Sequence, residues 1–233
     1  MGLEQRRERR ESEGTPARSA SRSMAPASVP LLIMTEGHPT KPSSRSVHKR
    51  TRTAHHEAGH AVLSAAINDA PHLVSIRANG ESLGRSRYRM EGRPQMLVQV
   101  HLAGFAAEEI LNGRRPRQFA GPELGFSVLA LTEPRFASVA ADLKGCDQYL
   151  AVQEVLAMGC ARTSEAVRAD IERFYGIAKA ALAAAWPAVL ALAKALLRDS
   201  ELDSAGFFTA IRGHDIYAPV FAVQDAHGLR FQP

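Results

Sequence analysis

Cysteine is nearly missing from this sequence, with Cys146 and Cys160 the only two in 233 residues. They do not form a CxxC pair, so they cannot make a zinc knuckle, and nothing else suggests a secreted disulfide scaffold. Free thiols in a reducing compartment are the expectation. Aromatic residues are sparse, at 6% with a single tryptophan, and alanine fills much of the apolar complement. That favours close-packed helices over an aromatic-rich sandwich of strands. Long apolar runs are missing too. The run from Ala180 to Ala193 contains Pro187 and is flanked by Lys179 and Lys194, and it falls short of the about 20 residues of a membrane span. Val29–Met34 is too short for a signal peptide and has no small-residue cleavage site after it. A soluble, cytoplasmic protein is expected.

The net charge of +5 is unevenly placed. The basic excess lies within residues 1–53, and the remainder is near neutral. Residues 1–48 are rich in Arg, Ser, Pro and Glu without an apolar period, which predicts a solvated, disordered basic tail rather than a nucleic-acid-binding arm. Met24 and Met34 lie inside this stretch, so the true start could fall later than Met1. The organisation expected is a tail over 1–48, one domain over 49–213, and a C-terminal tail over 214–233.

Periodicity gives a mainly α domain with a small β-sheet or hairpin. Ala58, Ala61, Val62 and Ala65 form one apolar stripe and predict a helix over 53–68, with Thr53 as N-cap. Residues 72–90 read as strands around an Asn79-Gly80 turn. Leu97, Val100, Ala103/Gly104, Ala107 and Leu111 predict a second helix over 95–112, stopped by Gly113. Residues 114–137, rich in Pro and Gly, read as an extended loop. Helices are predicted again over about 139–159, 163–185, 188–198 and 203–212.

The chemistry-bearing motif is His56-Glu57-Ala58-Gly59-His60. On a helix, residues at i and i+4 project from one face, where both imidazoles reach one ion. Zinc suits two neutral imidazole nitrogens in a tetrahedral shell. Glu57 projects about 100° round the helix, beside the ion rather than among its ligands. It can take a proton from a water that the zinc has acidified and deliver it to the leaving amine. His55 is off the shared face and reads as structural. A third protein ligand is needed, and Glu108, Glu109, Asp142 and Asp147 are all candidates by residue type.

Four stretches resemble the peptidase domain of the FtsH-type AAA zinc metalloproteases. Ala54–Val62 resembles the family's HEAGHA helix, and Val74-Ser75-Ile76 through Gly80 to Leu83-Gly84 resembles the strand pair after it. Leu102–Gly113 resembles its LGGRAAEE…G helix, and Ala140-Ala141-Asp142-Leu143 resembles its SNDL segment. Leu196-Leu197 and Glu201-Leu202-Asp203 also resemble the family's closing segment, so the likeness covers about residues 50–212. It implies Zn2+ as cofactor, with His56, His60 and Asp142 as metal ligands and Glu57 as catalytic base. It gives Glu108 a structural part, holding the zinc helix. It also implies an extended substrate backbone held along Val74, Ser75 and Ile76.

The sequence departs from the family in several places. There is no G-x-x-x-x-G-K-[ST] phosphate loop and no membrane anchor, and Phe105 stands where the family has Arg. The expected function is therefore a zinc metalloendopeptidase (a protease, hence a hydrolase) acting on unfolded or flexible polypeptides. Any unfolding motor would be a separate AAA ATPase partner, and a homo-oligomer is compatible with the sequence. The alternative is a peptidase-like adaptor or regulatory module that keeps zinc without proteolysis.

Overall fold

The first long helix, α1 (Ser44–Ile67), begins well before Thr53. Thr53 is not its N-cap: its hydroxyl donates instead to the carbonyl of Lys49, one turn back. The computed structural model describes residues 44–78, 83–88, 93–120, 122–159 and 163–229. Most of the expected basic tail and the Asn79-Gly80 turn lie outside those residues. Residues 44–48, assigned above to the tail, belong to α1.

The described chain is mainly helical with one small sheet, as the periodicity implied. After α1 come β1 (Leu73–Ser75), β2 (Arg85–Arg87) and α2 (Pro94–Asn112). Proline sits in the first turn of α2, where its missing N–H costs nothing, and Gly113 ends the helix at φ 67°. The stripe Ala58, Ala61, Val62 and Ala65 is buried, and α1 packs on α2, whose Leu97, Val100, Ala103 and Ala107 are buried as well. The approach is close because Gly59 has no side chain: a Cβ there would lie 2.7 Å from both the Ala103 carbonyl oxygen and the Ala107 Cβ.

The Pro- and Gly-rich stretch 114–137 is not an extended loop. It forms α3 (Arg117–Ala120), α4 (Pro122–Thr132) and a 3-10 turn over Pro134–Val139. Leu124, Val128 and Ala130 of α4 are buried, and Pro122 at its start marks a helix beginning rather than a break. The helix expected over 139–159 is two helices, α5 (Ala140–Leu143) and α6 (Asp147–Ala157). Gly145 at φ 94° turns the chain between them.

α7 (Ser164–Ala184) is capped by the Thr163 hydroxyl, which accepts from the Ala166 N–H. It packs on α2 through Tyr175 and Lys179, which both donate to the Glu109 carboxylate, at 2.7 and 2.6 Å. α8 (Trp186–Asp199) leads through Ser200 into β3 (Glu201–Asp203), and α9 (Ser204–Ala210) follows. The expected C-terminal tail contains α10 (Tyr217–Ala226), pinned to α2 by reciprocal buried Gln99–Gln224 hydrogen bonds. Among the described residues no single helix is long and apolar enough to cross a membrane.

The sheet is antiparallel with order β2-β1-β3. Leu73, Val74 and Ser75 pair with Arg87, Ser86 and Arg85 on one side and with Asp203, Leu202 and Glu201 on the other. β1 is therefore the central strand.

Candidate metal centre

The two histidines project from α1 toward α2, one turn apart. His60 Nδ1 lies 2.7 Å from the Val100 carbonyl oxygen. A carbonyl only accepts, so Nδ1 carries the proton and, in the neutral ring, Nε2 presents a lone pair. His56 Nδ1 lies 2.9 Å from Glu108 Oε1, which orients that ring in the same way. The far oxygen of Glu108 is 3.6 Å from the Arg52 guanidinium. Glu108 thus holds the His56 ring in place.

Asp147, the first residue of α6, completes the group. Its Oδ2 lies 3.2 Å from His56 Nε2 and 3.3 Å from His60 Nε2, and the two Nε2 atoms are 3.0 Å apart. Three acceptor atoms that converge this closely repel one another unless positive charge lies among them. The protonation behaviour says the same. Burial works against charge on His56, yet the Asp147 and Glu108 carboxylates outweigh it and push the ring up to about 10. Burial would raise Asp147, but the charges and hydrogen bonds of His60 and His56 pull its carboxyl well below the usual range. His56, His60 and Asp147 could hold a metal ion, since one ligand atom from each lies within 4.8 Å of the others.

Glycine at 104 makes room for this arrangement. A Cβ on Gly104 would overlap Nε2 of both His56 and His60. α2 therefore offers bare backbone beneath the two ligand nitrogens.

Asp142, the expected third ligand, stands outside this group. It lies on α5 and is exposed, although it lines the same cleft. On one continuous helix Asp142 and Asp147 would share an axis. The turn at Gly145 instead swings α6 so that only Asp147 reaches the histidines. His55 is structural, as read: its Nδ1 donates to the Thr51 carbonyl at 2.8 Å and its ring lies 6.0 Å from that of Trp186.

Glu57 stands beside the group, not in it. It is 6% exposed, and burial raises its pKa above the ordinary carboxyl value. The Ser86 hydroxyl lies 3.0 Å from both Glu57 Oε2 and the Glu57 carbonyl, tying Glu57 to β2. Gly84 lets Glu57 pack there, since a Cβ would lie 2.6 Å from Oε1. The sequence places Gly104 only on the apolar stripe of α2, and nothing in it marks Ser86.

A cleft of about 1140 Å³ opens over these residues. Leu83 to Tyr88 form one wall, and His101, Phe105 and Glu108 of α2 contribute to another. The expected substrate strand is corrected here. Val74, Ser75 and Ile76 are buried, and β1 is paired on both edges, so an incoming backbone has no free edge there. The outer edge of β2 has no strand partner among the described residues, and β2 lines the cleft.

No family model matches the chain, and no curated protein matches it.

Proposed function

We propose that this protein is a zinc-dependent endopeptidase of extended, flexible polypeptides, with His56, His60 and Asp147 holding the metal and Glu57 as general base. The convergence of two imidazole nitrogens and one carboxylate oxygen beside a buried glutamate carries the reading. The donor set fits zinc. Tetrahedral bonds of about 2.0–2.1 Å imply ligand atoms about 3.3 Å apart, and the three separations are 3.0, 3.2 and 3.3 Å. The outer support of each histidine, a carboxylate for one and a backbone carbonyl for the other, is the usual companion of a metal-bound imidazole.

Zinc, when bound, acidifies a water and polarises the scissile carbonyl. The residues of the chain do the rest. Glu57, whose pKa burial raises above the ordinary carboxyl value, takes a proton from the attacking water. The water oxygen bonds to the carbonyl carbon, the C–N bond breaks, and Glu57 returns the proton to the departing nitrogen. Ser86 keeps the carboxylate from swinging away between the two transfers. The polypeptide pairs along the outer edge of β2, where backbone hydrogen bonds give affinity without demanding a particular side chain.

The test is metal analysis of the purified protein together with cleavage of casein. The parent should carry about one zinc per chain and cleave. Glu57→Gln should keep the metal and lose cleavage by a factor of at least about 10². Cleavage by Glu57→Gln at the parental rate would sink the mechanism.

A further inference from the structure

His101 takes no part in the chemistry above, yet it is an anomalous side chain in the cleft wall. It is 2% exposed, and neither ring nitrogen has a hydrogen-bond partner among the described residues. Burying an imidazole unpaired at both ends is unfavourable, and leucine would fill such a core position better. A polar group left in this state calls for a reason, and service to a ligand is one.

Its placement supplies the reason. His101 stands on α2 three residues before Gly104, which underlies both metal-facing nitrogens, and four before Phe105, whose ring meets His56 edge-on at 5.2 Å. Positions at these spacings share a helix face. His101 lines the same cleft as His56, Glu57, His60 and Asp147. It is not one of the three residues whose ligand atoms gather within 4.8 Å. Asp147 and His60 are the charged groups that act on it, and burial outweighs the attraction of Asp147, holding the ring neutral with a pKa lowered to about 4. A neutral imidazole carries one N–H donor.

Building on the peptidase reading, the geometry points to His101 as a catalytic hydrogen-bond donor, binding the scissile carbonyl oxygen of a polypeptide as that oxygen gains negative charge. His101 forms no covalent bond and gives up no proton. The water's proton still travels through Glu57 to the leaving nitrogen. What His101 adds is an N–H donor in a buried wall of the cleft, which strengthens the transition state more than the ground state.

Two variants test this in the full chain, His101→Leu and His101→Gln, the second restoring an amide donor. The measurements are zinc content, melting temperature of the metal-free protein, kcat and KM on a fluorogenic peptide, and Ki for a phosphinic peptide that mimics the tetrahedral carbon. His101→Leu should keep its zinc and melt at or above the parental temperature. Its kcat should fall by about 10²–10³-fold, with KM within about twofold. Binding of the phosphinic peptide should weaken in parallel, and His101→Gln should recover part of kcat. Parental kcat in His101→Leu overturns the assignment, as does loss of zinc or of melting temperature in both variants, which would make His101 a support of the fold. A parent that cleaves nothing overturns the peptidase reading as well. An active parent with an indifferent His101→Leu overturns this inference alone.

Discussion

Asp147 Oδ2 meets His56 Nε2 at 3.2 Å across 91 positions of sequence. The contact exists because α6 starts afresh at Asp147, after the turn at Gly145.

Replacing each aspartate with its neutral amide separates the two candidate ligands. Asp147→Asn should lose most of its zinc on dialysis against a mild chelator, because an amide carbonyl is a weaker ligand for a dication than a carboxylate. Asp142→Asn, changed at an exposed position outside the group, should retain zinc like the parent. The reverse pattern would return the third ligand to α5.

Glu108→Gln acts one layer further out. It leaves the three ligand atoms in place but weakens the hold on His56 Nδ1. Zinc affinity should fall by about 10–100-fold, read by competition with a chromogenic chelator. Unchanged affinity would mean that the Glu108 hydrogen bond does not tune the site.

Gly104→Ala gives a result of unusual sign. Inside a helix, alanine normally improves on glycine by about 0.5–1 kcal/mol. Here the methyl would overlap both ligand nitrogens, so the variant should lose about 1–3 kcal/mol and its zinc together. Urea unfolding and metal analysis of the same sample check both. A stabilised variant that still binds zinc would mean that α1 and α2 stand further apart than described.

The buried His101 sets a pH dependence in the metal-free protein. Its pKa, 6.5 for an unperturbed ring, is lowered to about 4 by burial. Above about pH 6.5 neither the folded nor the unfolded chain is protonated there. As pH falls from 6.5 toward 4, the unfolded chain takes up a proton that the folded chain refuses. Stability is lost across that window, about 3 kcal/mol in total. His101→Leu lacks this loss, while His56 and Asp147 titrate in both proteins and largely cancel in the difference. The stability of the variant relative to the parent should therefore rise by about 3 kcal/mol between pH 7 and 4, measured by urea unfolding. A constant difference would show that His101 titrates alike in both states.

The parts of the site legible in the sequence are those that one helix decides. His56, Glu57 and His60 share α1, so a spacing of four residues and an apolar stripe suffice to place them. The adjacent Gly59 fits the same local logic, with its need explained only by Ala103 and Ala107 on α2. Asp147 required the path of the chain through α4, α5 and Gly145, which residue spacing does not encode. Gly145 was the available signal, a glycine inside an otherwise helical pattern. α4 was hidden because Pro122 and Gly125 read as loop, although Leu124 and Val128 pack like any core pair. The burial of β1 between two strands was illegible for another reason. Its second partner, β3, is non-local, and nothing in Val74-Ser75-Ile76 announces which edge stays open.

That second partner is also the last of the three strands to be made. A nascent chain that has emerged as far as α6 already carries His56, His60 and Asp147. One edge of β1 remains bare until Glu201–Asp203 leave the ribosome. A bare strand edge templates any extended chain nearby, and a growing polypeptide is such a chain. Once β3 seats, β1 is sealed and the edge offered beside Glu57 is that of β2. Until β3 is made, β1 therefore carries an edge that the finished sheet no longer offers.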